Sequence, residues 1–314
     1  MEISIVIPLF NESESLEELH DWMLSSMSNY SKSFEIILID DGSTDNSWQI
    51  IKNLAKKNKD TRGILFSKNF GKSQALNAGF KLAKGNYVIT MDADLQDSPD
   101  EIGNMVKTLK EKQLDIVSGW KKKRYDSFFL KNLPSKLFNW AARRVSGVHL
   151  HDFNCGIKAY RKDVIKTIDV YGEMHRYIPV IASNMGYNKI EEQIVKHQPR
   201  KYGETKFGSN RFVNGFLDLI TLWFLNKFGK RPMHFFGFWG TLMLIISFVF
   251  ILYIGLDKLY FTKSGKLIAQ RTEFFIALTA MIVGVQLFVA GFLGEIFLKS
   301  KKEIKRYIIT EKTN

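Results

Sequence analysis

The sequence predicts an α/β protein: a mostly parallel sheet with helices on both faces, then amphipathic helices and two membrane-spanning helices. Three observations predict it. From residue 1 to about 120, short apolar runs alternate with helical patterns. Clusters rich in acids and small polar residues fall directly after three of those runs. Two long apolar stretches occupy the C-terminal third.

Ile3–Ile7, Ile36–Ile39, Gly63–Phe66, Tyr87–Met91 and Ile116–Val117 are predicted as strands. Ser15–Ser26, Ser47–Lys57, Ser73–Lys84 and Pro99–Lys112 are predicted as the helices between them. In such a sheet, ligands bind beyond the carboxyl ends of the strands. The clusters at those ends are Pro8-Leu-Phe-Asn-Glu12, Asp40-Asp-Gly-Ser-Thr-Asp45 and Asp92-Ala-Asp94. No Gly-x-Gly-x-x-Gly follows the first strand and no Walker loop occurs, which argues against a dinucleotide dehydrogenase or a P-loop enzyme.

The run Val88-Ile-Thr-Met-Asp-Ala-Asp-Leu-Gln-Asp97 is the most informative. Residues i and i+2 of an extended segment point to one side, so Asp92 and Asp94 face the same way. Two such carboxylates repel unless a cation or donor array lies between them. A hard divalent cation with substrate phosphates meets that need. A solvated acidic turn has the same pattern, and Asp-x-Asp alone does not separate the two.

The chain of 314 residues carries 45 Lys+Arg against 32 Asp+Glu, a formal charge of +13. That balance suits anionic substrates, an anionic membrane surface or nucleic acid. The single cysteine, Cys155, excludes an intramolecular disulfide and reads as a small buried residue. The N-terminus, Met-Glu-Ile-Ser-Ile-Val-Ile-Pro, is no signal peptide, so the first domain is expected in the cytoplasm.

Phe235–Ile254 has no charge and is about the 20 residues a bilayer requires. Phe274–Leu298 is a second stretch, interrupted by Gln286 and Glu295. Lys227, Lys230 and Arg231 precede the first span, and Lys299, Lys301, Lys302, Lys305 and Arg306 follow the second. The connection holds Lys258, Lys263, Lys266 and Arg271, and the contrast favours both termini on the cytoplasmic side. Residues 128–145 and 212–228 are amphipathic and basic, suited to the membrane interface or to packing on the first domain. The expected division is a catalytic domain over 1–210, a juxtamembrane helix over 211–230, two spans over 235–298 and a basic tail over 299–314.

Ile5-Val-Ile-Pro-Leu-Phe-Asn-Glu12, Asp40-Asp-Gly-Ser-Thr-Asp45, Asn69-Phe-Gly-Lys72 and Met91-Asp-Ala-Asp-Leu-Gln-Asp97 resemble the inverting family 2 glycosyltransferases of GT-A fold. Asp152-Phe-Asn-Cys-Gly-Ile-Lys-Ala-Tyr-Arg161, His175-Arg-Tyr-Ile-Pro179 and Arg200-Lys-Tyr-Gly-Glu-Thr-Lys206 narrow the resemblance to polyprenyl-phosphate glycosyltransferases. That group often has Gly-Phe-Arg at Gly156-Ile-Lys158 and Ser-Lys at Thr205-Lys206. The resemblance implies that Pro8, Phe10, Glu12, Asp41, Lys72, Asp92 and Gln96 contact the sugar nucleotide. It implies that Asp92 and Asp94 hold Mg²⁺ or Mn²⁺, with Asp94 and Asp152 catalytic, Asp152 as a base or an orienting group. Arg161, Arg200 and Lys206 are then the candidates for the acceptor phosphate.

The expected partners are a nucleotide-sugar donor (a UDP-sugar favoured, GDP-mannose the alternative), a polyprenyl phosphate (undecaprenyl phosphate favoured) and the bilayer. The expected place is the inner membrane, with the catalytic domain cytoplasmic. Association of several copies is compatible with the sequence. Nucleic-acid binding has no recognition motif. A processive polysaccharide synthase would carry Gln-x-x-Arg-Trp and more spans, and neither occurs. A non-catalytic sugar-nucleotide binder is disfavoured by the intact acidic motifs.

Overall fold

The computed structural model describes residues 1–30, 33–122, 139, 142–144, 146–170, 172, 174–202, 217, 220, 221, 223, 224, 227–229, 231–261, 268 and 271–300. They fall into two compact units, one through Ile220 and one from Thr221. The amphipathic stretches 128–145 and 212–228 lie for the most part outside the described residues, as does Lys206.

The first unit is built on seven strands: β1 (Ile3–Leu9), β2 (Phe34–Asp40), β3 (Thr61–Leu65), β4 (Tyr87–Thr90), β5 (Ile116–Trp120), β6 (Lys158–Arg161) and β7 (Ile190–Ile194). Their spatial order is β3-β2-β1-β4-β6-β5-β7. All seven residues of β1 are buried, as a central parallel strand covered on both faces requires. Helices α1 (Leu16–Ser28), α2 (Ser47–Lys57), α3 (Lys72–Leu82) and α4 (Glu101–Glu111) connect the first five strands. Two short helices, α5 (Lys162–Thr167) and α6 (Ile178–Asn184), follow β6. Leu19, Met23, Ile51, Ile102, Met105 and Val106 cover Ile3, Ile5, Ile36, Leu38 and Ile89 in one continuous core.

β6 and β7 are additions to the predicted sheet. β6 runs antiparallel to both β4 and β5, whereas β7 is parallel to β5. The reversal places Lys158 opposite Thr90, at the carboxyl end of β4, and Arg161 opposite Tyr87, at its other end. Four residues framed by a loop and a helix give no alternation to read, and β7 is a half-exposed edge.

The end of the sheet remote from the acidic clusters is locked by Glu35. Its Oε1 accepts from Ser4 Oγ at 2.5 Å and from the Lys84 amide at 2.7 Å, and its Oε2 accepts from Arg62 Nη2 at 2.5 Å. Glu35→Ala should cost about 2 kcal/mol, because Ser4 and the Lys84 amide lose their buried partner while Arg62 stays partly solvated. A thermal midpoint unchanged in that variant would contradict this account.

The second unit is a helical hairpin of α7 (Pro232–Leu256) and α8 (Thr272–Ser300). The segments Pro232–Tyr260 and Thr272–Leu298 both have mean hydropathy 2.3 and are long enough to cross a membrane. Only 17% of each span's most apolar window is buried, unlike a core helix of a soluble domain. The helices meet at small residues: a Cβ on Gly240 would lie 2.8 Å from the Gly284 carbonyl oxygen. Ser247 Oγ donates to the Ala277 carbonyl across the pair at 2.6 Å, and Arg271 meets Asp257 at 2.6 Å.

Candidate active site

Parallel β1, β2 and β4 end together, so the loops after them share one rim of the sheet. The first two loops are knitted side by side. The Asn11 amide donates to Ser43 Oγ at 2.8 Å, and the Thr44 amide donates to Asn11 Oδ1 at 2.8 Å. The Glu12 amide donates to Ser47 Oγ at 3.1 Å. Asn11 has φ 52°, a left-handed conformation that asparagine tolerates. Asp41 accepts from the Phe70 and Gly71 amides at 2.7 and 2.9 Å, which sets the Asn69–Lys72 turn and the start of α3. Burial raises the Asp41 carboxyl above the usual range against those two amides. Each of its oxygens keeps a free lone pair, so contact with a nucleotide base remains open.

The fourth loop carries the carboxylates. Asp92 pairs with Lys72. Asp94 pairs with Arg200 Nη2 at 2.6 Å. Asp97, fully buried, faces Lys121 at 2.6 Å. Burial, with the Asp92 charge beside it, pushes the Asp94 carboxyl up to about 6 against the pull of Arg200. Asp92 is also opposed by burial, but Lys72 holds it below the usual carboxylate range. Leu95 has φ 60°, strained for a residue with a branched side chain, and the strain sits between Asp94 and Gln96. The Gln96 amide caps Asp94 Oδ1 at 3.3 Å, and its carbonyl accepts from the Gln198 amide at 2.9 Å, tying this loop to the strand of chain that bears Arg200.

The carboxylates press against a bare backbone. A Cβ on Gly156 would lie 2.6 Å from Asp92 Oδ2 and 2.9 Å from Asp97 Oδ2. Among the described residues no group of three His, Cys, Asp or Glu side chains is arranged to hold a metal by itself. Two hard oxygen donors that leave the remaining positions to substrate oxygens fit Mg²⁺ or Mn²⁺, which are bound by one or two carboxylates plus phosphates. Burial first, and the Asp92 charge second, raise the Asp94 carboxyl, so the two carboxylates lie close enough to feel each other.

Beside Asp92 lies a cleft of about 90 Å³, lined by Pro8, Lys72, Asn154, Lys158, His175 and Arg176 among others. Lys158 is 4% exposed. Its Nζ donates to the Phe153 carbonyl at 3.3 Å and to the Cys155 carbonyl, and no carboxylate among the described residues pairs with it. Burial pulls its pKa down. His175 is held well below its ordinary pKa, first by burial and then by Lys72, so its ring is neutral. Cys155 is buried with its thiol pushed up to about 12, an inert packing residue as expected.

Asp152 is 2% exposed, and its Oδ1 accepts from the Asn154 amide at 3.1 Å. Glu192 of β7 accepts the main-chain amides of His151 and Asp152 at 2.5 and 2.9 Å. The His151 ring stacks on Trp120 at 4.4 Å. This turn is therefore held from two sides.

The structure brings Pro8, Lys72 and Asp92 to the cleft and Arg200 to Asp94. It does not bring Arg161, which lies at the opposite end of β6 and pairs with Asp115 at 3.3 Å and Asp163 at 3.0 Å. The cation that β6 delivers to this rim is Lys158. Lys121, Lys158, Arg176 and Glu192 were not read as site residues from sequence. For Lys158 the signal was present, since it occupies the place where the resembling group often has arginine.

The chain matches Glycosyl transferase family 2 over residues 4–169. It is 35% identical over 302 residues to dodecaprenyl-phosphate galacturonate synthase of Rhizobium johnstonii, covering 96% of this chain and 88% of that protein. It is 34% identical over 311 residues to undecaprenyl-phosphate 4-deoxy-4-formamido-L-arabinose transferase of Aeromonas hydrophila, covering 98% and 92%. Among solved structures it resembles glucosyl-3-phosphoglycerate synthase of Mycobacterium tuberculosis in complex with Mn²⁺, UDP and glucosyl-3-phosphoglycerate. That likeness has TM-score 0.54 at 18% identity over 72% of this chain and 79% of the other, and it bears on the fold alone.

Proposed function

The chain belongs to Glycosyl transferase family 2 and is a glycosyltransferase of GT-A fold; on that premise we propose that it transfers one sugar from a nucleotide diphosphate to the phosphate of a membrane polyprenyl carrier. A UDP-sugar is the favoured donor and undecaprenyl phosphate the favoured acceptor; the names of its relatives support a polyprenyl phosphate as the acceptor class. The observation that carries this reading is the cationic cleft beside Asp92. A buried ammonium with no paired carboxylate is expensive, and a bound oxyanion relieves it. We therefore assign the acceptor phosphate to Lys158 and Arg176 of the cleft, in place of Arg161. The donor diphosphate belongs at Asp92, Asp94 and Lys72, and Arg200, seated on Asp94 and not in the cleft, goes with it in place of the acceptor role expected from the sequence.

The chemistry is a displacement with inversion. An acceptor phosphate oxygen forms the new bond to the anomeric carbon as the bond from that carbon to the diphosphate oxygen breaks. The nucleoside diphosphate leaves with the electron pair. The attacking oxygen is already ionised at neutral pH, so no proton must be removed. Asp152, buried with its Oδ1 on the Asn154 amide, then orients the site instead of acting as a base. The cations desolvate and aim the nucleophile. Mg²⁺ or Mn²⁺, held by Asp92 and Asp94, would offset the charge gained by the leaving diphosphate. Two spans suit a lipid acceptor, and the lysines and arginines flanking them support an inner-membrane site with the catalytic unit cytoplasmic.

The test separates acceptor from donor. Lys158→Met keeps the bulk of the side chain and removes the charge. It should lower catalytic efficiency toward polyprenyl phosphate by roughly a hundredfold while leaving nucleotide affinity nearly unchanged. Asp41→Ala should do the reverse. Initial rates against lipid, and nucleotide titration by calorimetry, give the ordering. A Lys158→Met enzyme that loses nucleotide affinity but keeps its lipid dependence sinks this assignment.

A further inference from the structure

We propose that Lys72 and Arg200 are built-in counter-ions that close the Asp92–Asp94 pair to a bare divalent cation, so that the metal enters only together with the donor diphosphate. The proposal rests on the donor site assigned above. Three carboxylates crowd this loop, and each faces one cation: Lys72 on Asp92, Arg200 on Asp94, Lys121 on Asp97. The three pairs are not equivalent. Lys121 and Asp97 are 12% and 0% exposed, a walled-in pair that nothing can enter. Lys72 and Asp92 are each 32% exposed, and Arg200 and Asp94 are 23% and 12% exposed. Lys72 and Arg200 reach in on long side chains from different elements, the first turn of α3 and the chain beyond β7. They can withdraw; Lys121 cannot.

A bare divalent cation binding at Asp92 and Asp94 must displace both counter-ions. Two positive charges enter and two others lose their partners in a partly dry site. The diphosphate changes the balance, because its oxygens accept the released ammonium and guanidinium groups in charge-assisted hydrogen bonds. Metal and nucleotide then strengthen each other, and by linkage the factor is the same in both directions. Arg200 moves from a metal ligand to a substrate phosphate within one catalytic cycle, which explains why it sits on Asp94 here.

Mn²⁺ binding to the full-length chain in detergent, followed by electron paramagnetic resonance with and without UDP, tests this without any turnover. The wild type should hold Mn²⁺ weakly alone and much more tightly with UDP. Arg200→Gln should tighten Mn²⁺ alone by about tenfold and shrink the gain from UDP. Arg200→Lys keeps the charge and should behave like the wild type, which separates loss of a counter-ion from a disturbed loop. Equal Mn²⁺ affinity in the wild type and Arg200→Gln, or equal affinity with and without UDP, overturns the proposal and leaves the metal site standing. Absence of Mn²⁺ binding under every condition overturns the metal site as well.

Discussion

Asp94→Asn should leave the chain folded and reduce metal-dependent turnover by on the order of a thousandfold. The substitution preserves shape and removes one charge from the pair that faces the diphosphate. It also leaves Arg200, now 2.6 Å from Asp94, without its counter-ion. The carboxylate is 12% exposed, so water replaces little of what is lost. Stability should not fall, because burial and the Asp92 charge already penalise the ionised Asp94 side chain in the fold. The measurement is glycolipid formation from undecaprenyl phosphate across a panel of nucleotide sugars, with Mg²⁺ or Mn²⁺ and after EDTA. Thermal unfolding of both proteins is recorded in parallel. Wild-type activity undiminished in EDTA would remove the metal from the mechanism.

Gly156→Ala should be nearly as damaging by a different route. The added methyl would meet Asp92 Oδ2 at 2.6 Å and Asp97 Oδ2 at 2.9 Å, closer than real contacts allow. Gly156 cannot retreat freely, since its carbonyl accepts from Thr90 Oγ1 at 3.0 Å. Asp97 is fixed by Lys121, so Asp92 is the group that must turn away. Turnover should fall by roughly a hundredfold, and overpacking should cost about 1–3 kcal/mol of stability. Asp94→Asn and Gly156→Ala are thus separated by the melting temperature, which only the second should lower. Near-normal turnover in Gly156→Ala would mean that the carboxylates work in an arrangement other than this one.

Strands β1, β2 and β4 were legible because they are apolar on both faces and end in turns that carry acids. Predicted Ile3–Ile7 became Ile3–Leu9, and predicted Tyr87–Met91 became Tyr87–Thr90. The carboxylate pair was legible for the same reason, since a strand's period fixes which residues share a side. β6 was not. Four residues carry no periodicity, and pairing with β4 and β5 decides that they form a strand at all. Its direction decides more. Lys158 and Arg161 lie three residues apart in one quoted motif, and only the antiparallel register shows which of them reaches the rim. Lys121 was missed because its partner Asp97 comes from a different loop, a pairing invisible to local spacing. The role given to Lys206 lies outside the described residues.

The antiparallel strand has a further effect on how this scaffold can change. β5 and β6 are immediate neighbours, with Ile116 opposite Tyr160, so the chain between them departs and returns within one strand spacing, about 5 Å. An excursion closed at its base in this way is a cassette. Its length and composition are uncoupled from the register of the other strands, which are joined by their own helices. An insertion into that excursion therefore leaves the donor rim of β1, β2 and β4 in register, so long as the closing turn that carries Asp152 and Gly156 is kept.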